Sequence, residues 1–85
     1  MTDEDTISIL IAEDNDVSRE MMARVLRAQS AYRVYEAENG AIALNIVNSV
    51  RIHLAIVDQM MDPVGGFQFA QSVVAGNMDI PIIMV

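Results

Sequence analysis

Three carboxylates stand where apolar segments of the chain end, and this placement suits metal or phosphoryl chemistry. The nearly continuous apolar segment Ile7–Ala12 runs into Glu13 and Asp14, and residues 53–57 run in the same way into Asp58. Open α/β sheets put their chemistry at the carboxyl ends of buried strands. We therefore expect the three acids to share one crevice if the two strands are neighbours.

The residue types in this group indicate which chemistry it can support. Three like charges held close together are costly unless a cation neutralises them. Oxygen ligands with no histidine or cysteine nearby suit a hard ion, Mg²⁺ or Mn²⁺. A carboxylate beside such an ion can attack phosphorus, because the ion neutralises charge on the incoming phosphoryl group. Asp58 is thus predicted to be a phosphoacceptor, with Glu13 and Asp14 as metal ligands beside it.

Each of these residues also has a plainer interpretation. Asp58 can be an ordinary turn residue at the end of a strand, and Glu13 and Asp14 can simply complement a helix N-terminus. Asp62, in the loop after Asp58, is a possible extra acid at the site but is interpreted first as solvated. His53 is the only histidine and begins a strand at the opposite edge from the acids, where we expect an edge or partly covered residue.

Hydrophobic periodicity and turn residues predict an α/β chain of the order βαβαβαβ. Such alternation predicts a three-layer fold with a parallel sheet and right-handed crossovers. Asn15 or Asp16 is expected to cap the first helix. The predicted strands are residues 7–12, 32–37, 53–58 and 80–85, and the predicted helices are residues 17–28, 41–48 and 67–75. The apolar residues expected to face inward from the first and third helices include Val17, Met21, Val25, Phe67 and Val74.

Length and composition bound the function further. The 85 residues allow one domain, and the net charge of −7, with no lysine, makes non-specific nucleic-acid binding unexpected. No apolar run approaches the ~20 residues of a membrane span, and the absence of cysteine fits a reducing compartment. Residues 1–6 are predicted to be a disordered acidic tail, unlike a signal peptide. A cytoplasmic protein without membrane partners is expected.

Four short motifs follow one another along the chain. They read ILIAEDN at residues 9–15, EAENGAIAL at 36–44, LAIVDQMM at 54–61 and IPIIM at 80–84. Together they resemble the receiver domain of two-component response regulators, over essentially the whole chain after the tail. The resemblance implies a flavodoxin-like fold with strand order 2-1-3-4 and an Asp58 phosphorylated by a histidine kinase or phosphotransferase. It also implies that Glu13, Asp14, Asp58 and the backbone carbonyl of Met60 surround Mg²⁺.

The chain departs from the receiver pattern in two places and lacks part of it. Asp62 stands where the family usually has proline, and Gly65 stands where an aspartate usually precedes the helix glycine. A receiver continues after its fourth strand with a serine or threonine, a helix, a fifth strand carrying a lysine, and a last helix. We therefore expect residues 7–85 to form a partial receiver that lacks these parts.

An open fourth strand leads to a prediction about assembly. Natural proteins rarely leave a hydrophobic edge strand unpaired, so we expect homo-oligomers formed through the last strand. The residues predicted to self-associate are Ile80, Ile82, Ile83, Met84 and Val85.

Three functions follow from these patterns. The first is a signalling module, not an enzyme, that accepts phosphate on Asp58. The second is an inert structural or assembly fragment of a receiver. The third, a hydrolytic metalloenzyme built on the three acids, is weaker because no basic residue near the strand ends would position a substrate.

Overall fold

Strands and helices alternate along the chain as the sequence predicts. The computed structural model describes residues 6–85. Residues 1–5 of the predicted disordered tail lie outside the described residues, and Thr6, its last residue, is half-buried. The elements are β1 (Ile7–Ala12), α1 (Asp16–Arg27), β2 (Tyr32–Ala37), α2 (Gly40–Ser49), β3 (Leu54–Val57), α3 (Gly66–Ala75) and β4 (Ile82–Met84).

The four strands form one parallel sheet in the order β2-β1-β3-β4, which confirms the order implied by the family resemblance. β1 lies in the middle and pairs with both β2 and β3. Its last residue, Ala12, is opposite Ala37 of β2 and Val57 of β3. The three strands therefore end level with one another, and the residues that follow them meet at one edge of the sheet.

Helices cover the two faces of the sheet unequally. Leu10 and Ala12 belong to a core that includes Phe69 of α3 and Val47 of α2. Ile11, between them, points to the opposite face and packs in a smaller cluster with residues of α1 and β2. Because side chains alternate along a strand, β1 is buried on both faces, and its residues from Ile9 to Ala12 are all apolar.

Side-chain caps set the start of two helices. The Asn15 side chain accepts a hydrogen bond from the Ser18 N–H at 2.9 Å, so α1 begins at Asp16. Of the two caps expected from the sequence, Asn15 is therefore the one used. The Asn39 side chain accepts in the same way from the Ile42 N–H at 2.9 Å and starts α2. Each cap satisfies one of the N–H groups that have no partner inside the helix.

β4 is shorter than predicted, since its regular pairing covers Ile82–Met84 rather than residues 80–85. Pro81 has no N–H to donate to a ladder. Its carbonyl nevertheless accepts from the Ala55 N–H at 3.0 Å, and the Val85 N–H donates to the Val57 carbonyl at 2.9 Å. Within residues 6–85, no strand pairs with the other side of β4.

The expectation that the apolar residues of the first and third helices face inward is wrong for five of them. Val17, Met21 and Val25 of α1 are exposed, as are Phe67 and Val74 of α3. The amphipathic pattern marks a face that needs a partner, and residues 6–85 supply no second helix beside α1 on its face of the sheet. A groove of about 360 Å³ is lined there by Met21, Met22, Val25, Leu26 and Ile56. Among the helices that the structure describes, none combines the length and apolar character needed to cross a bilayer.

Candidate metal and phosphoacceptor site

The register of the sheet brings Glu13 and Asp58 together. Each directly follows a residue of the Ala12–Val57 pair. The Asp58 N–H donates to the Ala12 carbonyl at 2.9 Å, and the Glu13 N–H donates to the Ala37 carbonyl at 3.0 Å. Hydrogen bonds to neighbouring strands thus fix the backbone of both residues just beyond the strand ends.

Glu13, Asp14 and Asp58 form one cluster. One carboxylate oxygen from each lies within 4.8 Å of the others, with Glu13 and Asp58 half-buried and Asp14 exposed. The structure therefore places together the three acids that the sequence singles out. Asp62 is exposed in the loop after β3 and does not belong to this cluster of described residues.

The close approach of these acids separates the pKa values of Glu13 and Asp58. The pKa of Glu13 is raised from 4.5 to about 7, first by a hydrogen bond with the Asp58 carboxyl, then by burial and by the negative charges of Asp58 and Asp14. The pKa of Asp58 is lowered by the same hydrogen bond from Glu13, with further help from the backbone N–H groups of Met60 and Gln59. Without a cation, Glu13 therefore takes up a proton as the pH falls to about 7, and that proton forms the hydrogen bond with Asp58.

An unpartnered oxygen supports the fit of a cation to this cluster. Oε2 of Glu13 is buried and has no hydrogen-bond partner within residues 6–85. Such an atom needs either the proton shared with Asp58 or a positive ion. The oxygen-only donor set matches the preference of Mg²⁺ and Mn²⁺, so the residues present fit such an ion.

The loop after β3 holds Met60 beside the cluster. The Met60 N–H donates to Oδ1 of Asp58 at 3.1 Å, while the Met60 side chain is exposed. Two backbone hydrogen bonds hold the loop at Gln59. The Gln59 N–H donates to the Val85 carbonyl, and the Gln59 carbonyl accepts from the Gly66 N–H. A Cβ at Gly66 would lie 2.6 Å from the Asp58 carbonyl oxygen, so this position requires glycine.

The sequence interpretation missed Arg19, which contacts the backbone of the site. Its guanidinium donates to the Glu13 carbonyl at 2.8 Å. The only sequence signal for this contact is an arginine near the start of the helix that follows two candidate ligands. Such a residue is ordinarily interpreted as solvated.

His53 lies at the opposite edge of the sheet, as expected, and takes no part in the cluster. Nδ1 of the His53 side chain accepts a hydrogen bond from the Ser8 N–H at 2.9 Å, and the backbone N–H of His53 donates to the Ser8 carbonyl at 2.8 Å. His53 therefore has a structural role between β1 and the start of β3.

Known proteins are similar to this chain in sequence and in structure. A cyclic di-GMP phosphodiesterase of Thermotoga maritima is 33% identical over 79 residues, which cover 93% of this chain and 21% of that protein. The receiver domain of the putative response regulator NarL from Mycobacterium tuberculosis aligns with a TM-score of 0.87 and 23% identity, covering 94% of this chain and 65% of that one.

A third similar structure is a co-crystal of two Saccharomyces cerevisiae proteins, the histidine phosphotransfer protein Ypd1 and the receiver domain of the response regulator Ssk1. It aligns with a TM-score of 0.82 and 24% identity over 93% of this chain and 61% of that one. Among eight curated relatives that it matches, the chain spans between 6% and 36% of the relative's length.

A family model described as the response regulator receiver domain matches residues 9–85. The match includes all three clustered acids and the loop that carries Met60. It covers nearly the whole chain, and the strand order agrees with it. The chain therefore belongs to the receiver domain family of two-component response regulators.

Proposed function

We propose that this chain is the phosphoacceptor module of a two-component signalling protein, with Asp58 as the residue that is phosphorylated. The observation that carries this proposal is the cluster of Glu13, Asp14 and Asp58 within 4.8 Å at the carboxyl edge of the sheet. Asp58 is the member with the lowered pKa. It is therefore ionised near neutral pH and available as a nucleophile.

In the proposed reaction, a carboxylate oxygen of Asp58 attacks the phosphorus of a phosphohistidine. The bond from phosphorus to the imidazole nitrogen breaks, and an acyl phosphate remains on Asp58. Glu13, Asp14, Asp58 and the backbone carbonyl of Met60 would hold Mg²⁺ or Mn²⁺, which neutralises charge on the phosphoryl group. The Met60 N–H orients one oxygen of Asp58 by a hydrogen bond.

The proposed donor is a histidine kinase or a histidine phosphotransfer protein. Support comes from the structurally similar co-crystal, in which a receiver domain is bound to the phosphotransfer protein Ypd1. We assign no hydrolytic activity to this chain, since the matched region is only a fifth of the Thermotoga phosphodiesterase. We propose a cytoplasmic location, where such donors have access to the module.

Acetyl phosphate with Mg²⁺, read by intact-protein mass, tests the assignment. Wild-type protein is expected to gain the mass of one phosphoryl group, and Asp58→Asn is expected to gain none. Asp62→Asn is the matched control, because it removes an exposed acid from the same loop outside the cluster. An adduct that persists in Asp58→Asn, or that disappears in Asp62→Asn, would reject Asp58 as the acceptor.

Self-association through Ile80, Ile82, Ile83, Met84 and Val85 stays a proposal for this chain. Its support is the open side of β4 within residues 6–85 and the exposure of Ile83 (50%) and Val85 (60%). The alternative of an inert assembly fragment is not favoured, because the complete acid cluster is present. Association and phosphorylation are compatible, since the two surfaces use different side chains.

A further inference from the structure

The Arg19 side chain is buried to an unusual degree for a cation near the start of a helix. It is 11% exposed, whereas the side chain of Arg27 on the same helix is 50% exposed. Nη1 of Arg19 donates to the Glu13 carbonyl at 2.8 Å, and Nη2 donates to Oδ1 of Asp16 at 2.6 Å. Nε lies 3.5 Å from Oε1 of Glu36. One planar group thus links the end of β1, the first turn of α1 and β2.

The bond to the Glu13 carbonyl fixes the peptide group that joins Glu13 to Asp14. A peptide unit is planar, so the position of its oxygen constrains the direction of the Asp14 N–H and Cα. On the other side of Glu13, the backbone N–H is held by the Ala37 carbonyl of β2 at 3.0 Å. Both peptide groups around Glu13 are therefore fixed, and with them the points from which two candidate ligands extend.

The charge around Arg19 indicates a positional role rather than an electrostatic one. Arg19 pairs with Asp16 and Glu36, and Arg27 pairs with Glu36 at 2.8 Å. These two cations and two anions form a group of zero net charge. The guanidinium therefore adds little positive potential at the acid cluster. What matters for this contact is the fixed planar geometry of its N–H donors.

We propose that Arg19 is a positioning residue for the acid cluster, which holds the Glu13–Asp14 peptide so that both carboxylates converge on Asp58. This inference rests on the proposed function of the cluster. Partners that orient ligands from outside a metal site typically contribute roughly 10–100-fold to metal affinity. Arg19→Gln is therefore expected to weaken metal binding roughly tenfold.

Titration of the full chain with Mn²⁺, followed by electron paramagnetic resonance of the free ion, is the first test. Arg27→Gln is the matched control, because it removes another arginine bonded to Glu36 but leaves the Glu13 carbonyl bond intact. It is expected to bind Mn²⁺ as wild type does. Arg19→Lys keeps the charge without the fork and is expected to bind as weakly as Arg19→Gln.

A measurement without metal keeps the inference testable if a variant is unstable or binding is weak. In EDTA, amide hydrogen exchange at Glu13, whose N–H is bonded to the Ala37 carbonyl, is expected to be faster in Arg19→Lys than in wild type, and unchanged in Arg27→Gln. Wild-type exchange at Glu13, or wild-type Mn²⁺ affinity, in Arg19→Lys would overturn the positioning role. If Asp58→Asn leaves Mn²⁺ affinity unchanged, the proposed metal site fails instead, whatever the Arg19 variants show.

Discussion

The negative charge of Glu13 is stabilised when a cation is bound at the acid cluster and is unfavourable when none is. Its carboxyl shares a proton with Asp58, and one of its oxygens has no other partner among residues 6–85. The energetic consequence depends on pH. A carboxyl whose pKa is raised on folding stabilises the folded state below its unfolded pKa, and this contribution is lost as pH rises through the folded value.

For Glu13 the loss falls between its unfolded pKa of 4.5 and its folded pKa of about 7. Asp58, with a lowered pKa, contributes in the opposite sense, but only near and below 3.8. In EDTA, wild-type protein is therefore expected to lose stability between about pH 5.5 and about pH 8 relative to Glu13→Gln, which stays neutral.

Urea unfolding of both proteins at the two pH values measures this difference. We expect wild-type protein to lose about 1–2 kcal/mol of unfolding free energy relative to Glu13→Gln. This loss is smaller than ~1.36 kcal/mol for each unit of the pKa shift, because Glu13 is partly exposed to solvent. Using Glu13→Gln as the reference cancels the titration of other groups. Identical pH dependence in the two proteins would contradict the shared proton.

At the scale of elements, the link between His53 and Ser8 continues the β1–β3 pairing beyond the regular strand. Ser8 is buried, and both its N–H and its carbonyl are bonded to His53. The Nδ1 atom replaces the backbone carbonyl that a longer strand would supply. This explains why β3 begins at Leu54 although His53 was predicted to belong to it.

His53→Ala is expected to leave the Ser8 N–H without a partner, at a cost of about 1–3 kcal/mol in the free energy of unfolding. His53→Asn is the matched variant, because its Oδ1 is attached to Cγ as Nδ1 is and can accept the same hydrogen bond. In urea unfolding, the stability of His53→Asn is expected to lie between that of His53→Ala and that of the wild type. Equal stability of the Ala and Asn variants would show that the hydrogen bond does not stabilise this strand pair.

At the scale of the whole molecule, exposed apolar surface lies at the open strand and on two helices. β4 pairs only with β3 among the described residues, and Ile83 is half exposed. An unpaired edge of this kind is a template for another strand. Light scattering at micromolar concentration is therefore expected to give a mass above that of a monomer.

Ile83→Lys is expected to return the mass towards that of a monomer, because a charge on an edge strand opposes pairing. Val74→Lys introduces the same charge at an exposed apolar residue of α3 and should leave the mass unchanged. A monomeric wild-type protein at every concentration would contradict self-association. An equal effect of both substitutions would contradict its assignment to β4.

Local features of this molecule follow from the sequence alone. The alternation of elements, the cap of α1 at Asn15 or Asp16 and the acids after β1 and β3 depend on residues close together in the chain. The strand order came from the family resemblance, and the structure confirmed it.

Three other features are set by packing in three dimensions: which apolar stripes are covered, how far the pKa of Glu13 is raised, and which backbone atoms Arg19 and His53 contact. Each of these depends on groups that packing brings together. Ser8 and His53 are 45 positions apart, and Glu13 and Asp58 follow different strands, so their contacts depend on which strands pair and in what register.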